Sequence, residues 1–169
     1  MRSLRLIALA IVFAAAIAGA WWFVTGRNHV SGDSIVVYYT KIDGTTEAPY
    51  RVSLGPARDR ASVAFYAASQ ALAGPDSAIE AVRFPAGTHV NALTLDGSTA
   101  NVDISREVNS AAEGGFTETA VFKSLVWTLT DPKTLPGITS VRVRIGGARV
   151  ATLPGGHFEL DEPLSRATF

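Results

Sequence analysis

The chain has 169 residues, with 15 basic and 15 acidic side chains and no cysteine. The lack of cysteine excludes a disulfide framework, a thiolate nucleophile and a cysteine-based zinc site. The balanced charge offers no basic surplus for holding nucleic acid by its phosphates, so we expect no nucleic-acid partner.

Residues 6–24 form an uncharged apolar run close to the start of the chain. A helix of that length spans roughly 28 Å, close to the hydrocarbon thickness of a bilayer. Arg2 and Arg5 precede the run and no acidic residue occurs before Asp33, so the short end 1–5 is expected in the cytoplasm. The side chains expected to anchor the chain in the membrane are Leu6, Ile7, Val12, Phe13, Ile17, Trp21, Trp22 and Phe23.

Two other interpretations of this run stay open. The small residues at 18–20 match a signal-peptidase site, in which case the domain would be secreted. The run could instead be a buried helix of a soluble core, although so small a chain has little surface with which to cover it. The length of the run and the interfacial position of Trp21 and Trp22 favour a retained anchor. The sequence therefore predicts a single-pass protein of the cytoplasmic membrane whose C-terminal domain lies outside the cytoplasm.

A polar connector, residues 25–33, precedes the globular part of the chain. Residues 34–41 are rich in β-branched and aromatic side chains and predict a strand covered on both faces. A shorter strand is expected at 50–54. Asp59 is a suitable N-cap for a helix over 60–73. The buried face of this helix is predicted to carry Ala61, Phe65, Ala68 and Leu72.

The middle of the chain predicts a β-hairpin followed by a second helix. Strands at 90–95 and 99–104 flank Asp96-Gly97, a dipeptide typical of tight hairpin turns. The second helix is expected over 117–129, with one apolar stripe facing the core. That stripe consists of Phe122, Leu125, Val126 and Leu129.

The last third of the chain predicts two more strands and a tail. Apolar and basic residues alternate over 140–145, as in a strand with one buried face. Gly146-Gly147 then turns the chain into a strand at 149–153, and the tail 154–169 is expected to be irregular and to pack on the domain. Two helices on one face of a small mixed β-sheet is the economical packing for this order, which gives an α+β fold.

Several short segments of the globular part occur in a recognisable order. They are the strand at 35–39, A-L-A-G-P at 71–75, F-P-A-G-T at 84–88, V-N-A-L-T-L-D-G at 90–97, V-D-I-S at 102–105, L-V-W-T-L-T at 125–130 and V-R-V-R-I-G-G at 141–147. With these segments, residues 34–153 resemble the GerMN domain, a family named from sporulation and spore germination proteins and found in bacterial envelopes. The resemblance implies a small α+β domain, similar to ring-building modules of envelope assemblies, that serves binding or assembly.

The residues that could carry chemistry do not form a recognisable catalytic or metal-binding motif. His29, His89 and His157 lie outside metal-ligand spacing, and no serine lies in a nucleophile-elbow motif. The carboxylate pairs 103/107 and 161/162 could act as acid and base, but exposed carboxylates at strand and loop ends are common. We therefore expect no catalytic residue, no metal, no cofactor and no enzymatic activity.

Two surface features are the candidates for a partner-binding site. Arg142 and Arg144 share one face of a predicted strand, and Arg149 follows across the turn, so the three could meet an anionic partner. Trp127 lies away from the apolar stripe of its helix, and exposed tryptophans are common in binding surfaces. The competing interpretations are a solvated face whose charges discourage edge aggregation, and a tryptophan covered by the first strand or the tail.

These observations predict a membrane-anchored, extracytoplasmic GerMN-like domain that binds or scaffolds without catalysis. Its expected partners are the membrane, an envelope protein or peptidoglycan, and a second copy of itself. Two alternative functions stay open: an accessory or enzyme acting on peptidoglycan, and a carrier for a small ligand, which would need a sizeable apolar pocket.

Overall fold

The computed structural model describes residues 13–17, 32–44, 47–55, 57, 59–76, 78–111 and 115–169. Within those ranges, no helix is both long enough and apolar enough to cross a membrane. Phe13 and Ile17 lie in a short helical segment and are exposed. The other predicted anchor residues lie outside the described residues; they are Leu6, Ile7, Val12, Trp21, Trp22 and Phe23.

The described strands form two sheets, and the expectation of one mixed sheet was wrong in this respect. Strands β1 (Ser34–Thr40) and β2 (Glu47–Ser53) pair antiparallel as a two-stranded sheet. The second sheet has the order β3-β4-β5-β6, in which β4 and β5 run parallel and the other neighbours run antiparallel. Its strands are β3 (Val90–Asp96), β4 (Thr99–Ile104), β5 (Ser140–Ile145) and β6 (Leu164–Ser165). The α+β class is as expected.

Helix α1 (Arg60–Ala73) begins and ends where its capping residues predict. The Asp59 carboxylate accepts a hydrogen bond from the Ser62 backbone N–H at 3.0 Å, and Gly74 ends the helix with φ +78°. The predicted buried face was partly wrong, since Ala61 is exposed and Phe65 is 40% exposed. The helix instead buries a surface of mostly small residues, so that it packs closely on α2 (Gly115–Leu129), β1 and β3. Those buried residues are Val63, Ala64, Ala67, Ala68, Ala71 and Leu72.

Helix α2 explains why β1 and β2 stand apart from the larger sheet. One edge of β1 is bonded to β2, and hydroxyl groups on and after α2 occupy the other. The Ser124 Oγ accepts from the Thr40 N–H at 2.8 Å, and the Thr128 Oγ1 accepts from the Tyr38 N–H at 2.9 Å. Beyond the helix, the Thr134 Oγ1 accepts from the Val36 N–H at 3.1 Å. We call these three acceptors, Ser124, Thr128 and Thr134, the hydroxyl ladder.

The β3–β4 hairpin closes one position later than expected. Asp96 is paired with Thr99, so Asp96 ends the strand and the two turn residues are Gly97 and Ser98. Gly97 has φ +57°, the conformation that a type II′ turn requires at its first position.

The predicted strand at 149–153 was also wrong. Of the residues that follow β5 as far as 153, Ala148 alone forms a bridge with that strand, to Ile145. The Ala151 carbonyl accepts from the Leu160 N–H at 2.7 Å and Leu153 is buried, so this segment pairs with the tail and the core instead of the sheet. The tail also supplies the short strand β6, which residues 154–169 were not expected to contain.

Aromatic rings join the tail to the core beneath α2. The Phe122 ring, fully buried, stacks on Phe158 with a centroid separation of 5.7 Å and meets Phe84 edge-on at 6.0 Å. Phe158 stacks in turn on Phe169 at 5.5 Å. The tail is therefore an integral layer of the domain, and it positions the residues around Trp127.

Candidate functional site

The first candidate surface consists of Arg142 and Arg144 on the solvent face of β5 and Arg149 beyond the following turn, and we call these three residues the arginine face. The strand alternates strictly: Val141, Val143 and Ile145 are buried, while Arg142 is half-buried and Arg144 is exposed. Arg149 is exposed just beyond the following turn. The two strand arginines therefore project from the face opposite the core, as their spacing predicts.

The neighbouring strand supplies polar groups but does not neutralise these arginines. Parallel β4 places Asn101 beside Arg142 and Asp103 beside Arg144. The Asp103 Oδ1 accepts from the Gly147 N–H at 2.7 Å, and its Oδ2 accepts from the Asn91 side-chain amide at 3.2 Å. The carboxylate thus holds the turn after β5 in place. Within the described part of the chain, none of the side chains of the arginine face forms an ion pair or a hydrogen bond.

A fourth guanidinium lies close to the same end of the sheet, and the sequence did not point to it. Arg106 follows β4 and is exposed, and its side chain lies against Gly146: a Cβ on that glycine would be 2.6 Å from the Arg106 Nε. The carboxyl ends of two adjacent parallel strands meet at one sheet edge, so Arg106 and the turn after Arg144 come together. A prediction that β4 and β5 pair in parallel would have placed Arg106 at this end of the sheet.

The second candidate, Trp127, is half-buried and its ring is engaged by other side chains. Phe169 meets the ring edge-on with a centroid separation of 5.8 Å. The Arg166 guanidinium carbon lies 5.1 Å from the ring centroid, and the Lys123 Nζ lies 5.5 Å from it. Arg166 also donates to the Thr130 Oγ1 at 3.0 Å and to the Trp127 carbonyl at 3.1 Å. The tail therefore covers much of this ring, in keeping with the competing interpretation of Trp127 as a packed residue.

The same arginine extends the cluster to β1. Its guanidinium carbon lies 5.6 Å from the Tyr38 ring centroid, and the Tyr38 hydroxyl donates to the Asp131 Oδ1 at 3.1 Å. Partial burial, together with the negative charge of Asp131, raises the pKa of Tyr38 above its ordinary value, and the nearby Arg166 opposes that rise. The cluster joins β1, α2 and the tail, which is a structural role.

Two open grooves flank this cluster. A groove of about 440 Å³ runs past Thr130, Ile138 and Arg166. Another of about 450 Å³ lies beside Gly44, Phe116 and Lys123. Each has one basic side chain on an otherwise largely uncharged wall, so either could accept a short anionic group.

The remaining candidate groups are dispersed. The His89 ring contacts the Gly87 carbonyl at 2.9 Å, His157 is exposed on the tail, and His29 lies outside the described residues. Asp161 and Glu162 are exposed. Among the residues whose positions are described, no group of three or more His, Asp or Glu side chains is arranged to hold a metal ion.

Comparison with known proteins identifies the fold. A chain with the tandem GerMN domains of the sporulation protein GerM from Bacillus subtilis superposes with a TM-score of 0.63 and 26% identity. The match covers 80% of this chain and 47% of that one, so this chain spans about half of the tandem structure. The first GerMN domain of GerM gives a TM-score of 0.62 and 26% identity, over 79% of this chain and 98% of that one.

A candidate lipoprotein from Clostridium perfringens shares the fold, with a TM-score of 0.58 and 16% identity over 82% of this chain and 93% of that one. No curated protein matched the sequence significantly. The family model named Germane, described as sporulation and spore germination, matches residues 36–151. Because that match spans more than half of the chain and, with the similarity to GerM, confirms the resemblance drawn from the sequence, the chain belongs to the Germane family, a family of the GerMN type.

Proposed function

We propose that this chain is a non-enzymatic binding or scaffold module of the bacterial cell envelope. In this proposal, residues 6–24 anchor it in the cytoplasmic membrane and the Germane domain lies outside the cytoplasm. The location is supported by the uncharged run and by Arg2 and Arg5 before it. Its family and its similarity to GerM support a role in the processes after which the family is named.

The arginine face is the observation that carries the binding proposal. Guanidinium groups are the preferred partners of carboxylates because their planar fork matches the two oxygens. Arg142 and Arg144 stand on one strand about 7 Å apart, the repeat of alternate residues in a β-strand. Because neither side chain forms an ion pair or hydrogen bond within the described part of the chain, both guanidinium groups are available to a partner without first breaking a contact there.

We infer that the partner is an envelope protein bearing acidic side chains. The surface around the arginines is not uniformly basic, since the neutral Asn101 and the acidic Asp103 lie beside them. A uniform polyanion would meet the Asp103 carboxylate, whereas a protein surface can place a donor against Asp103 and carboxylates against Arg142 and Arg144. Trp127 is a secondary candidate for contact with a partner, because its ring already packs against the tail.

Site-specific photo-crosslinking in intact cells tests this proposal. A photoreactive residue replaces Asn101, which lies on the same face as the arginines, in the full-length chain. We expect one protein adduct that disappears in the Arg144→Ala and Arg149→Ala variants. It should persist in Arg51→Ala, which removes an exposed arginine from β2, and in Trp127→Ala. The adduct is identified by mass spectrometry, and its binding to the purified chain should weaken as salt rises.

Two results would contradict the proposal. The first is an adduct that survives both arginine substitutions, because binding would then not use the arginine face. The second is release of peptidoglycan fragments by the purified full-length chain, abolished by one carboxylate substitution, which would establish the enzymatic alternative.

A further inference from the structure

Strand β3 is an outer strand of the four-stranded sheet. It pairs with β4 on one side, and no described strand lies on its other side. Outer strands expose a row of unpaired N–H and C=O groups, which is a template for pairing with another chain. The strand has seven residues, Val90–Asp96; its register with β4 shifts between Val90 and Ala92, and Ala92–Asp96 pair without interruption.

The free edges of β1, β2 and β5 carry features that oppose pairing, and β6, the other outer strand of this sheet, has only two residues. The hydroxyl ladder occupies the free edge of β1. Strand β2 contains Pro49, which has no N–H to offer. Strand β5 pairs with β6 only at Ser140 and Val141, and its free stretch carries Arg142 and Arg144. Charged residues, proline and β-bulges are common devices against edge pairing. Strand β3 has no charged residue or proline between Val90 and Leu95, and its register shift lies between Val90 and Ala92, outside Leu93–Leu95.

The hairpin geometry determines which backbone groups of β3 point away from the domain. In a hairpin with a two-residue turn, the closing pair, here Asp96 and Thr99, exchanges hydrogen bonds. Alternation then directs the N–H and C=O of Thr94 towards β4 as well. The N–H and C=O groups of Leu93 and Leu95 therefore point to the open edge.

We propose that β3 pairs antiparallel with β3 of a second copy of this chain, with Thr94 opposite Thr94. This register places Leu93 opposite Leu95 of the second copy, and Leu95 opposite its Leu93. Each of those two pairs exchanges two backbone hydrogen bonds, so all four outward-pointing groups on each copy are used.

The side chains fit the same register. Leu93 and Leu95 are half-buried on the core side, and each meets a leucine of the second copy. Thr94 is exposed on the solvent side and meets Thr94 in the close, non-hydrogen-bonded type of pair. Asp96, the single charged residue of the strand, lies opposite Ala92 and not opposite another carboxylate. A self-complementary register in which no two charged residues lie opposite each other favours a second copy over an unrelated peptide.

Pairing in this way would join the two four-stranded sheets into one. The two arginine faces would then lie on the same side, because paired residues of neighbouring strands share a face. Strands β5 of the two copies would be five strand spacings apart, about 24 Å. The dimer would present two basic surfaces to one partner, although the pairing itself does not depend on the proposed function of the arginine face.

Cysteine crosslinking tests the register, because the chain has no cysteine of its own. In the full-length chain, Thr94→Cys should form a disulfide-linked dimer under mild oxidation, since residues opposite each other in a non-hydrogen-bonded pair lie within disulfide reach. Asn101→Cys is the matched control: it lies on the same face, one strand further in, and should stay monomeric.

Charge repulsion provides a second measurement that needs no disulfide. Thr94→Lys would set two ammonium groups opposite each other, and should remove a concentration-dependent dimer in sedimentation equilibrium. Thr139→Lys, the same change at another exposed threonine, should leave the dimer intact. Equal crosslinking of the two cysteine variants, or a Thr94→Lys chain that dimerises like the unmodified one, would overturn the proposal, as would a chain that stays monomeric throughout.

Discussion

At the scale of single residues, Glu118 is the clearest polar anchor between α2 and the tail. It is 0% exposed, and its Oε2 accepts from the backbone N–H groups of His157 at 3.1 Å and Phe158 at 3.2 Å. Its Oε1 is buried without a hydrogen-bond partner among the described residues. The glycine at 156 lies against that oxygen, so a Cβ there would overlap the carboxylate.

We predict that Gly156→Ala destabilises the domain by about 1–3 kcal/mol, the usual cost of overpacking a rigid site. In a Glu118→Ala background the obstructing carboxylate is gone, and the same glycine substitution should cost clearly less. A double-mutant cycle measured by urea unfolding checks this coupling. Equal costs in both backgrounds would show that the glycine is required for another reason.

Tyr38 gives a pH-dependent prediction at the same scale. Partial burial and the Asp131 carboxylate raise the pKa of Tyr38, so the folded protein holds this proton more tightly than the unfolded chain does. The resulting stabilisation is complete below about pH 10, the unfolded value, and is lost as the pH rises through the folded pKa of Tyr38. Burial also raises the pKa of Tyr39, so phenolate absorbance should show two late-titrating tyrosines in the unmodified chain and one fewer in Tyr38→Phe.

The Asp131→Asn variant separates the two causes of this shift. Removing the negative charge should lower the pKa of Tyr38 towards its ordinary value. The pKa of Tyr39 is also raised, chiefly by its own burial, and should not move. A late component of Tyr38 that is unchanged in Asp131→Asn would mean that burial alone is responsible.

At the scale of secondary-structure elements, the hydroxyl ladder is the contact that fixes β1 against α2. We predict that Thr128→Val costs about 1–3 kcal/mol, because it leaves the Tyr38 N–H without its acceptor while keeping the side-chain volume. Thr119→Val is the matched control on the same helix, since the Thr119 hydroxyl donates within the helix, to the Gly115 carbonyl at 2.6 Å, and accepts from no strand among the described residues. That control should change the free energy of unfolding by less than about 0.5 kcal/mol.

Urea unfolding measures both variants, and amide hydrogen exchange at Tyr38 localises the effect. Faster exchange of that amide is expected in Thr128→Val alone. If Thr119→Val proved equally costly, the loss would reflect the altered helix itself and not the edge of β1.

The hydroxyl ladder also shows why the sequence predicted most elements but not the separation of the sheets. Helix α1, strand β5 and the β3–β4 hairpin follow from caps, alternation and turn residues, which are local signals. A helix hydroxyl that accepts from a strand about 90 positions away leaves no periodic trace, since serine and threonine on α2 resemble ordinary surface residues.

The two candidate surfaces show the same difference between local and long-range signals. The alternation of β5 correctly placed Arg142 and Arg144 on the solvent face, because that feature depends on neighbouring residues alone. The surroundings of Trp127 depend on the tail, where Arg166 and Phe169 have no pattern that links them to α2. Phe65 was misplaced because an alanine-rich helix offers no strong contrast between its faces.

At the scale of the whole molecule, the connector limits how far the domain can lie from the proposed anchor. Nine residues, 25–33, span at most about 30 Å when fully extended. The domain would therefore stay close to the membrane surface, where chains confined to one plane meet at a higher effective concentration than in solution. A single pair of short strands makes a small and therefore weak interface, so such confinement would favour the proposed β3 pairing.

The anchor itself yields the final prediction. We expect the full-length chain to remain in the membrane pellet after alkaline extraction and its intact mass to include residues 1–20. Ala15→Arg should release a large fraction of it, because a charge at the centre of a span costs about 2.5–3.5 kcal/mol. Ser98→Cys, in the exposed β3–β4 turn, should react with a membrane-impermeant maleimide in intact cells whose outer layers admit the reagent. A mature N-terminus at Trp21 would instead establish cleavage after Ala20, and the domain would then be secreted and lose the confinement that favours its pairing.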